Sequence, residues 1–161
     1  MPNSKLRFRL QTQAQYQWCW AAVAASTARF YDRQTAQTQC KIVNAIVSPS
    51  KCCCADGNTA ECDVQESLEK ALAYVGHLRA CQRGALSWHA VDEEMESSNP
   101  VGVQISLISG TAHFVTIIGT GTRHNGEIII ADPENGRTTA KHKTFARSPH
   151  GVWRETYLCQ P

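Results

Sequence analysis

Two hydrophobic patterns divide the chain into an N-terminal half and a C-terminal half. The first half combines an alanine-rich run at 21–28 with apolar residues at the three- or four-residue spacing of helices. These features predict four helices, over residues 19–31, 34–47, 64–75 and 88–96. Beyond residue 100 apolar and polar residues alternate, which predicts strands over 101–108, 113–118, 127–132, 137–145 and 152–159. Helices followed by hairpin-connected strands predict the α+β class, with a helical half packed on an antiparallel sheet.

Capping signals set the ends of two of these helices. Asp63 and Glu66 have the spacing of a capping box, so the third helix is predicted to begin just after Asp63. Gly76 is the residue type that helices prefer just beyond their last turn. Ser87 is predicted to cap the fourth helix in the same way as Asp63 caps the third.

The length of 161 residues is typical of one domain, so residues 1–161 are predicted to form a single unit. Residues 1–11 are polar overall, and we expect them to form a flexible arm. A net charge of +2, with acids and bases intermixed, does not favour nucleic acid or an anionic membrane as a partner. The apolar runs are too short to span a bilayer. We expect a monomer that does not insert into membranes.

Eight cysteines are many for a protein of a reducing cytosol. Five lie in or beside a cysteine-rich loop over 48–62 and are predicted to form disulfides: Cys40, Cys52, Cys53, Cys54 and Cys62. The favoured bridges run from Cys40 to the triplet 52–54 and from the triplet to Cys62. Structural zinc is the alternative, although zinc sites usually use Cys-x-x-Cys pairs, which this sequence lacks.

The disulfides predict a protein that is secreted or translocated out of the producing cell. Residues 1–5 contain no apolar segment of the kind found in a signal peptide, so none is predicted in this chain. We therefore expect export by another route, or the prior removal of a leader.

Cys19 is the candidate nucleophile. It stands where a glutamine-rich, irregular segment meets the alanine-rich helix, so the unpaired N–H groups of the helix N-terminus converge on its thiol. Such a setting favours the thiolate, which is the nucleophilic form of cysteine. The alternative is a buried, inert cysteine between Trp18 and Trp20, two residues that we expect to pack in the core rather than contact substrate.

A cysteine nucleophile needs a base and a group that orients the base. His113 begins one predicted strand and Asp132 ends the next, so a hairpin between them would bring the two side chains together. The aspartate could instead serve only to start a turn, and the two roles are compatible. Gln13, six residues before Cys19, carries an amide that can donate to an oxyanion.

These residues resemble the papain-like cysteine peptidases, and in particular two compact bacterial branches. The branches are the double-glycine leader-peptidase-like proteins and the effector proteases of plant-associated bacteria. The similarity spans about residues 13–159 and rests on Gln13, Trp18-Cys19-Trp20-Ala21-Ala22, Ala112-His113-Phe114-Val115 and Ala131-Asp132-Pro133. An Asp in place of papain's Asn fits the bacterial branches. Fewer residues separate Cys19 from His113 in this sequence than separate the corresponding residues in papain. The residues of papain's substrate pockets therefore cannot be assigned to positions of this sequence.

The resemblance implies a papain-like fold and a cysteine peptidase that needs no cofactor and acts on a protein or peptide. Cys19, His113 and Asp132 would form the triad, and Gln13 would stabilise the oxyanion. The same triad could instead support deamidation, transglutamination or acyl transfer, because access to the acyl-enzyme sets the acceptor. A third reading, from another class, is a disulfide-rich binding module with an inert thiol.

Overall fold

The structure is a computed structural model that describes residues 4–47, 52–53 and 61–161. The part of the cysteine-rich loop that contains Cys54 lies outside the described residues. The helices are α1 (Cys19–Tyr31), α2 (Gln39–Val47), α3 (Leu68–Tyr74), α4 (Trp88–Glu96) and the short α5 (His142–Ala146). The strands are β1 (Leu78–Arg83), β2 (Val101–Leu107), β3 (Ala112–Thr120), β4 (Glu127–Asp132), β5 (Gly136–Lys141), β6 (Arg147–Ser148) and β7 (Gly151–Cys159).

Helix α1 is the central element of the helical half. Every residue from Cys19 to Ala28 is buried, which is possible because alanine side chains allow α2, α3 and β3 to approach closely. The helix ends at Tyr31, and the next residue, Asp32, has an extended backbone. Its alanine-rich composition therefore explains both its helical propensity and its position inside the protein.

The strands form one antiparallel sheet in the order β1-β7-β2-β3-β4-β5, with β6 paired to β7. Consecutive residues of a strand point to opposite faces of the sheet, and β3 shows this clearly. Phe114 packs with α1, α2 and α3 on one face. Val115 packs with α4 on the other. The α+β class and the packing of the helical half on an antiparallel sheet are thus confirmed.

Three predicted boundaries were wrong for local reasons. Helix α2 begins at Gln39 rather than residue 34, because the Thr38 hydroxyl accepts a hydrogen bond from the backbone N–H of Lys41 and so caps it. Helix α3 is capped by Ser67 instead of Asp63. The strand predicted over 137–145 ends at Lys141, which pairs with Glu127, the first residue of β4; beyond this pair β4 offers no partner.

Residues 4–11 were expected to form a flexible arm, and the structure shows them docked instead. Leu6 donates its backbone N–H to Ile118 at 2.8 Å, and Ser4 accepts from the backbone N–H of Thr120 at 2.8 Å. Leu6 and Phe8 are buried against the sheet, with Phe8 only 2% exposed. The sequence signal for this docking is an apolar residue at every second position of the segment. The polar average composition of the segment concealed it.

Among the described residues, two disulfides join the helical half to the cysteine-rich loop. Cys40 of α2 is bonded to Cys53, and Cys52 is bonded to Cys62, which lies just before α3. Each bridge has one end in the triplet 52–54, which is the pattern that the sequence favours. Cys19, Cys81 and Cys159 are free thiols. In the described part of the chain, no helix has the length and apolar character needed to cross a membrane.

We predict that Phe8→Ala lowers the free energy of unfolding by about 3–5 kcal/mol, because it removes a buried aromatic ring from the sheet face. Urea denaturation would measure the loss. Lys5→Ala, at an exposed position of the same segment, is the control and should change stability by no more than ~0.5 kcal/mol. Equal stability of the two variants would show that the arm does not contribute to the core.

Candidate active site

Cys19 is the first residue of α1, where the helix has no side-chain cap among the described residues. Cys19 is 4% exposed, and the tryptophans on either side are fully buried. Trp18 donates its indole N–H to the carbonyl of Cys62 at 2.7 Å, and Trp20 donates to the carbonyl of Val64 at 3.0 Å. The two tryptophans therefore pack in the core and hold the N-terminus of the helix, as expected.

His113 stands between Cys19 and Asp132. Its Nε2 lies 2.8 Å from Oδ1 of Asp132, and the Cys19 thiol is close enough to the imidazole to favour its charged form. Because Nε2 is engaged by the aspartate, Nδ1 is the ring atom left for the sulfur. The His113 and Asp132 side chains are only 13% and 14% exposed, so little water competes for these bonds. The antiparallel pairing of β3 with β4 produces this proximity, since His113 is the second residue of β3 and Asp132 is the last residue of β4.

Asp132 is held in a tight turn. Its Oδ1 also accepts from the backbone N–H groups of Glu134 at 2.9 Å and Asn135 at 3.3 Å, and its Oδ2 accepts from the Asn135 side chain at 3.0 Å. Gly136 follows with a φ of +85°, a conformation that favours glycine. The sequence indicated a turn here, but it did not single out Asn135, which fixes the second carboxylate oxygen.

These contacts determine the charges of the pair. Burial alone would lower the pKa of His113, but hydrogen bonds to Asp132 and Cys19 outweigh it and raise the pKa to about 10. Burial would raise the pKa of Asp132, yet hydrogen bonds from His113 and Asn135 hold it below its usual value. At neutral pH the site therefore contains an imidazolium and a carboxylate.

Gln13 lies in the loop that leads to Cys19. Its backbone N–H donates to the carbonyl of Pro133 at 3.0 Å, which ties this loop to the turn of Asp132. Its side-chain nitrogen donates one hydrogen to the carbonyl of Tyr16 at 2.6 Å, so the second amide hydrogen remains. Its Oε1 is buried without a hydrogen-bond partner among the described residues. The oxyanion role of Gln13 stays a prediction.

Sequence reasoning missed a bridging segment, residues 62–65, that connects Cys19 to His113. The Asp63 carboxylate accepts from the backbone N–H of Gln17 at 2.7 Å, two residues before Cys19. The Gln65 side chain donates to the backbone carbonyl of Ala112, the neighbour of His113, and accepts from its N–H at 3.4 Å. Asp63 therefore positions the Cys19 loop instead of capping α3. The sequence gives no signal for this because both contacts are long-range.

Comparison with solved structures shows which fold surrounds this site. The chain is similar to a double glycine motif protease from an AMS/PCAT transporter, crystallised in complex with its leader peptide. The identity is 17%, the TM-score is 0.57, and the alignment covers 98% of this chain and 95% of the other. It also matches the Pseudomonas avirulence protein AvrPphB at 6% identity and a TM-score of 0.44, over 96% and 98% of the two chains. Comparison with curated protein sequences gives no match.

The fold and the family comparison define a papain-like cysteine protease. Residues 2–148 match the model of the family described as papain-like cysteine protease AvrRpt2. The chain belongs to this family, which confirms the resemblance drawn from its cysteine, histidine and aspartate motifs.

The bridging segment leads to a prediction about the disulfides. Removing either bridge should lower the free energy of unfolding by about 2–5 kcal/mol. The Cys52→Ser/Cys62→Ser variant should also lose turnover, because Cys62 begins the segment that contacts both the Cys19 loop and the His113 strand. The Cys40→Ser/Cys53→Ser variant is the matched control, and it should keep its turnover wherever it remains folded. Identical turnover in the two folded variants would contradict this role of the segment.

Proposed function

We propose that this protein is a cysteine peptidase that hydrolyses peptide bonds through Cys19, His113 and Asp132, with Gln13 as an oxyanion donor. The observation that supports this proposal is the position of His113 between the thiol at the helix N-terminus and a buried carboxylate. The substrate is a protein or peptide, because this chemistry acts on an acyl group with a leaving amine. The two disulfides support a site of action outside the producing cell.

In the first half of the reaction, the Cys19 thiolate attacks the scissile carbonyl. The new C–S bond forces the carbonyl electrons onto oxygen, which becomes negatively charged. The backbone N–H at Cys19 and the remaining amide hydrogen of Gln13 donate to that oxygen. The imidazolium of His113 then gives its Nδ1 proton to the amine as the C–N bond breaks. The products are a free amine and a thioester on Cys19.

In the second half, neutral His113 accepts a proton from water as the water oxygen attacks the thioester. Collapse of this intermediate breaks the C–S bond, releases a carboxylic acid and restores the thiolate–imidazolium pair. Asp132 remains a carboxylate throughout, orients the ring and stabilises its charged form.

We expect Cys19→Ala to abolish turnover and leave the fold intact, because the thiol performs chemistry in a site formed by other residues. Cleavage of a peptide library would be followed by mass spectrometry, which also distinguishes hydrolysis from deamidation or acyl transfer. Cys81→Ala, which removes another free thiol, is the control and should retain activity. Hydrolysis that survives in Cys19→Ala would refute the proposal, and a transfer or deamidation product in the wild type would replace peptide hydrolysis with that reaction.

The pKa of His113 predicts how activity and stability depend on pH. Because its folded-state pKa is raised, the stability from His113 is fully present below about pH 6.5 and is lost as pH rises through about 10. Asp132 has a lowered pKa, so its stabilisation is present above about pH 4 and is lost as the pH falls through that lowered value.

The same pKa of His113 sets the pH dependence of activity. The imidazolium is the general acid, so kcat/KM should decrease as the pH rises through about 10, which is the alkaline limb of its pH profile.

Asp132→Asn removes the anion beside the ring and should move this limb to lower pH by ~1–3 units. The profile of kcat/KM against pH would be compared with that of Glu134→Gln. This control removes a charge from an exposed position of the same turn, where the backbone N–H and not the side chain contacts Asp132. Coincident alkaline limbs in wild type and Asp132→Asn would show that the aspartate does not stabilise the imidazolium.

Gln13→Ala should lower turnover by a factor of ~10²–10³ with little change in KM, since it removes a donor that acts mainly in the transition state. Labelling of Cys19 by an alkylating agent should persist, because the thiolate–imidazolium pair does not need the amide. Gln15→Ala and Gln17→Ala are matched controls, because both residues support the loop through backbone groups. Loss of turnover in Gln17→Ala but not in Gln13→Ala would make the oxyanion assignment wrong.

A further inference from the structure

The docked N-terminal segment exposes a row of cationic side chains that the peptidase mechanism does not use. Leu6 and Phe8 point into the protein, so the residues that alternate with them, Lys5, Arg7 and Arg9, are exposed. Alternation along an extended segment places these three side chains on one face.

The last turn of α1 and the residues just beyond it add two arginines to this face, Arg29 and Arg33. Arg7, Arg9, Arg29 and Arg33 line a cavity of about 380 Å³, with Phe30 as an apolar wall. A second cavity of about 320 Å³ shares Arg7 and Arg9 and adds Lys5 and Arg137, together with Leu6 and Phe8. The arginine face is defined here by its six cationic residues: Lys5, Arg7, Arg9, Arg29, Arg33 and Arg137.

This concentration of charge is not compensated locally. None of the described residues that line the two cavities is acidic. Within the described part of the chain, no salt bridge reaches any of the six cationic residues. Arg137 donates to the backbone carbonyl of Phe8 at 2.8 Å, so it also fixes the segment. Asp32 is the nearest acid in sequence, and its Oδ1 accepts from the backbone N–H of Gln34.

Like charges that converge on a concave surface raise the local potential and attract anions. Guanidinium groups bind phosphate with paired N–H donors in a planar fork, and this geometry suits phosphate better than a point charge does. Two adjoining cavities that share two arginines suit an anion with more than one phosphate group. Their concave shape and small volumes favour a compact ligand over a flat membrane surface or a long nucleic acid.

We propose that the arginine face is a binding site for a compact ligand that carries several clustered phosphate groups. Such groups could belong to a soluble polyphosphate or to the headgroup of a phosphoinositide. The site lies at the C-terminal end of α1, whereas Cys19 is at the N-terminal end. Arg29 follows Cys19 by ten residues of α1, so the first cavity lies about 15 Å from the thiol along the helix axis. Arg137 is nearer, because it pairs with Ala131, the neighbour of Asp132.

The test measures binding to the full chain carrying Cys19→Ala, so the result does not depend on whether the protein is a peptidase. Isothermal titration with inorganic tripolyphosphate, at an ionic strength of about 0.15 M, would detect the soluble ligand. Co-sedimentation with phosphatidylcholine vesicles containing phosphatidylinositol bisphosphate would detect the lipid headgroup. Binding in either arm supports the site and identifies which source of phosphate it accepts.

Two pairs of substitutions, on separate elements, locate the binding. Arg7→Gln/Arg9→Gln and Arg29→Gln/Arg33→Gln should each weaken it by ~10-fold or more, since each pair removes charge-assisted hydrogen bonds. Arg83→Gln/Arg154→Gln is the charge-matched control, because these arginines line a different cavity and should not matter. Circular dichroism would verify folding, and one folded pair is sufficient for the test.

Three results would overturn the proposal. The first is no binding of the wild-type face to either probe at this ionic strength. The second is equal weakening in the control pair, which would indicate an effect of net charge alone. The third is tighter binding of a single-stranded oligonucleotide than of tripolyphosphate or vesicles, which would assign the face to nucleic acid.

Discussion

The hydrogen bonds of His113 are the constraint on which the site depends. One ring nitrogen is held by Asp132 from the β3–β4 hairpin, and the thiol at the other side belongs to the buried helix α1. The ring is therefore oriented by the sheet while the thiol is positioned by the helical half. Any displacement of one half against the other would separate the thiol from the imidazole, so the proposed chemistry depends on the packing between the halves.

The bridging segment, residues 62–65, limits that displacement. Its carbonyl groups accept from Trp18 and Trp20, Asp63 accepts from the loop before Cys19, and Gln65 contacts the start of β3. The disulfide from Cys62 to Cys52 anchors this segment to the rest of the helical half. Rigid support around a reactive pair maintains its geometry within the small tolerances that catalysis requires.

Much of this arrangement could be predicted where local chemistry decides the structure. The bounds of α1 and β4 follow from alanine content and from β-branched residues that end at Asp-Pro. The proximity of Cys19, His113 and Asp132 follows from a helix terminus and a hairpin. Strand β1 was not predicted, because it is an edge strand with no buried residue and therefore carries no hydrophobic alternation. The roles of Asp63, Gln65 and Asn135 depend on contacts that the local pattern does not encode.

The burial of α1 has an evolutionary consequence. Ala21, Ala22, Ala24, Ala25 and Ala28 are all at most 1% exposed, so a longer side chain at any of them would have to displace its packed neighbours. Each added methylene group would force neighbours off their preferred rotamers, at a cost of typically ~1–3 kcal/mol. Only small residues can therefore be exchanged at these five positions, whereas the exposed edge strand β1 can vary widely. Among descendants of this sequence, α1 should change most slowly, and part of that slowness would reflect packing and not selection for catalysis.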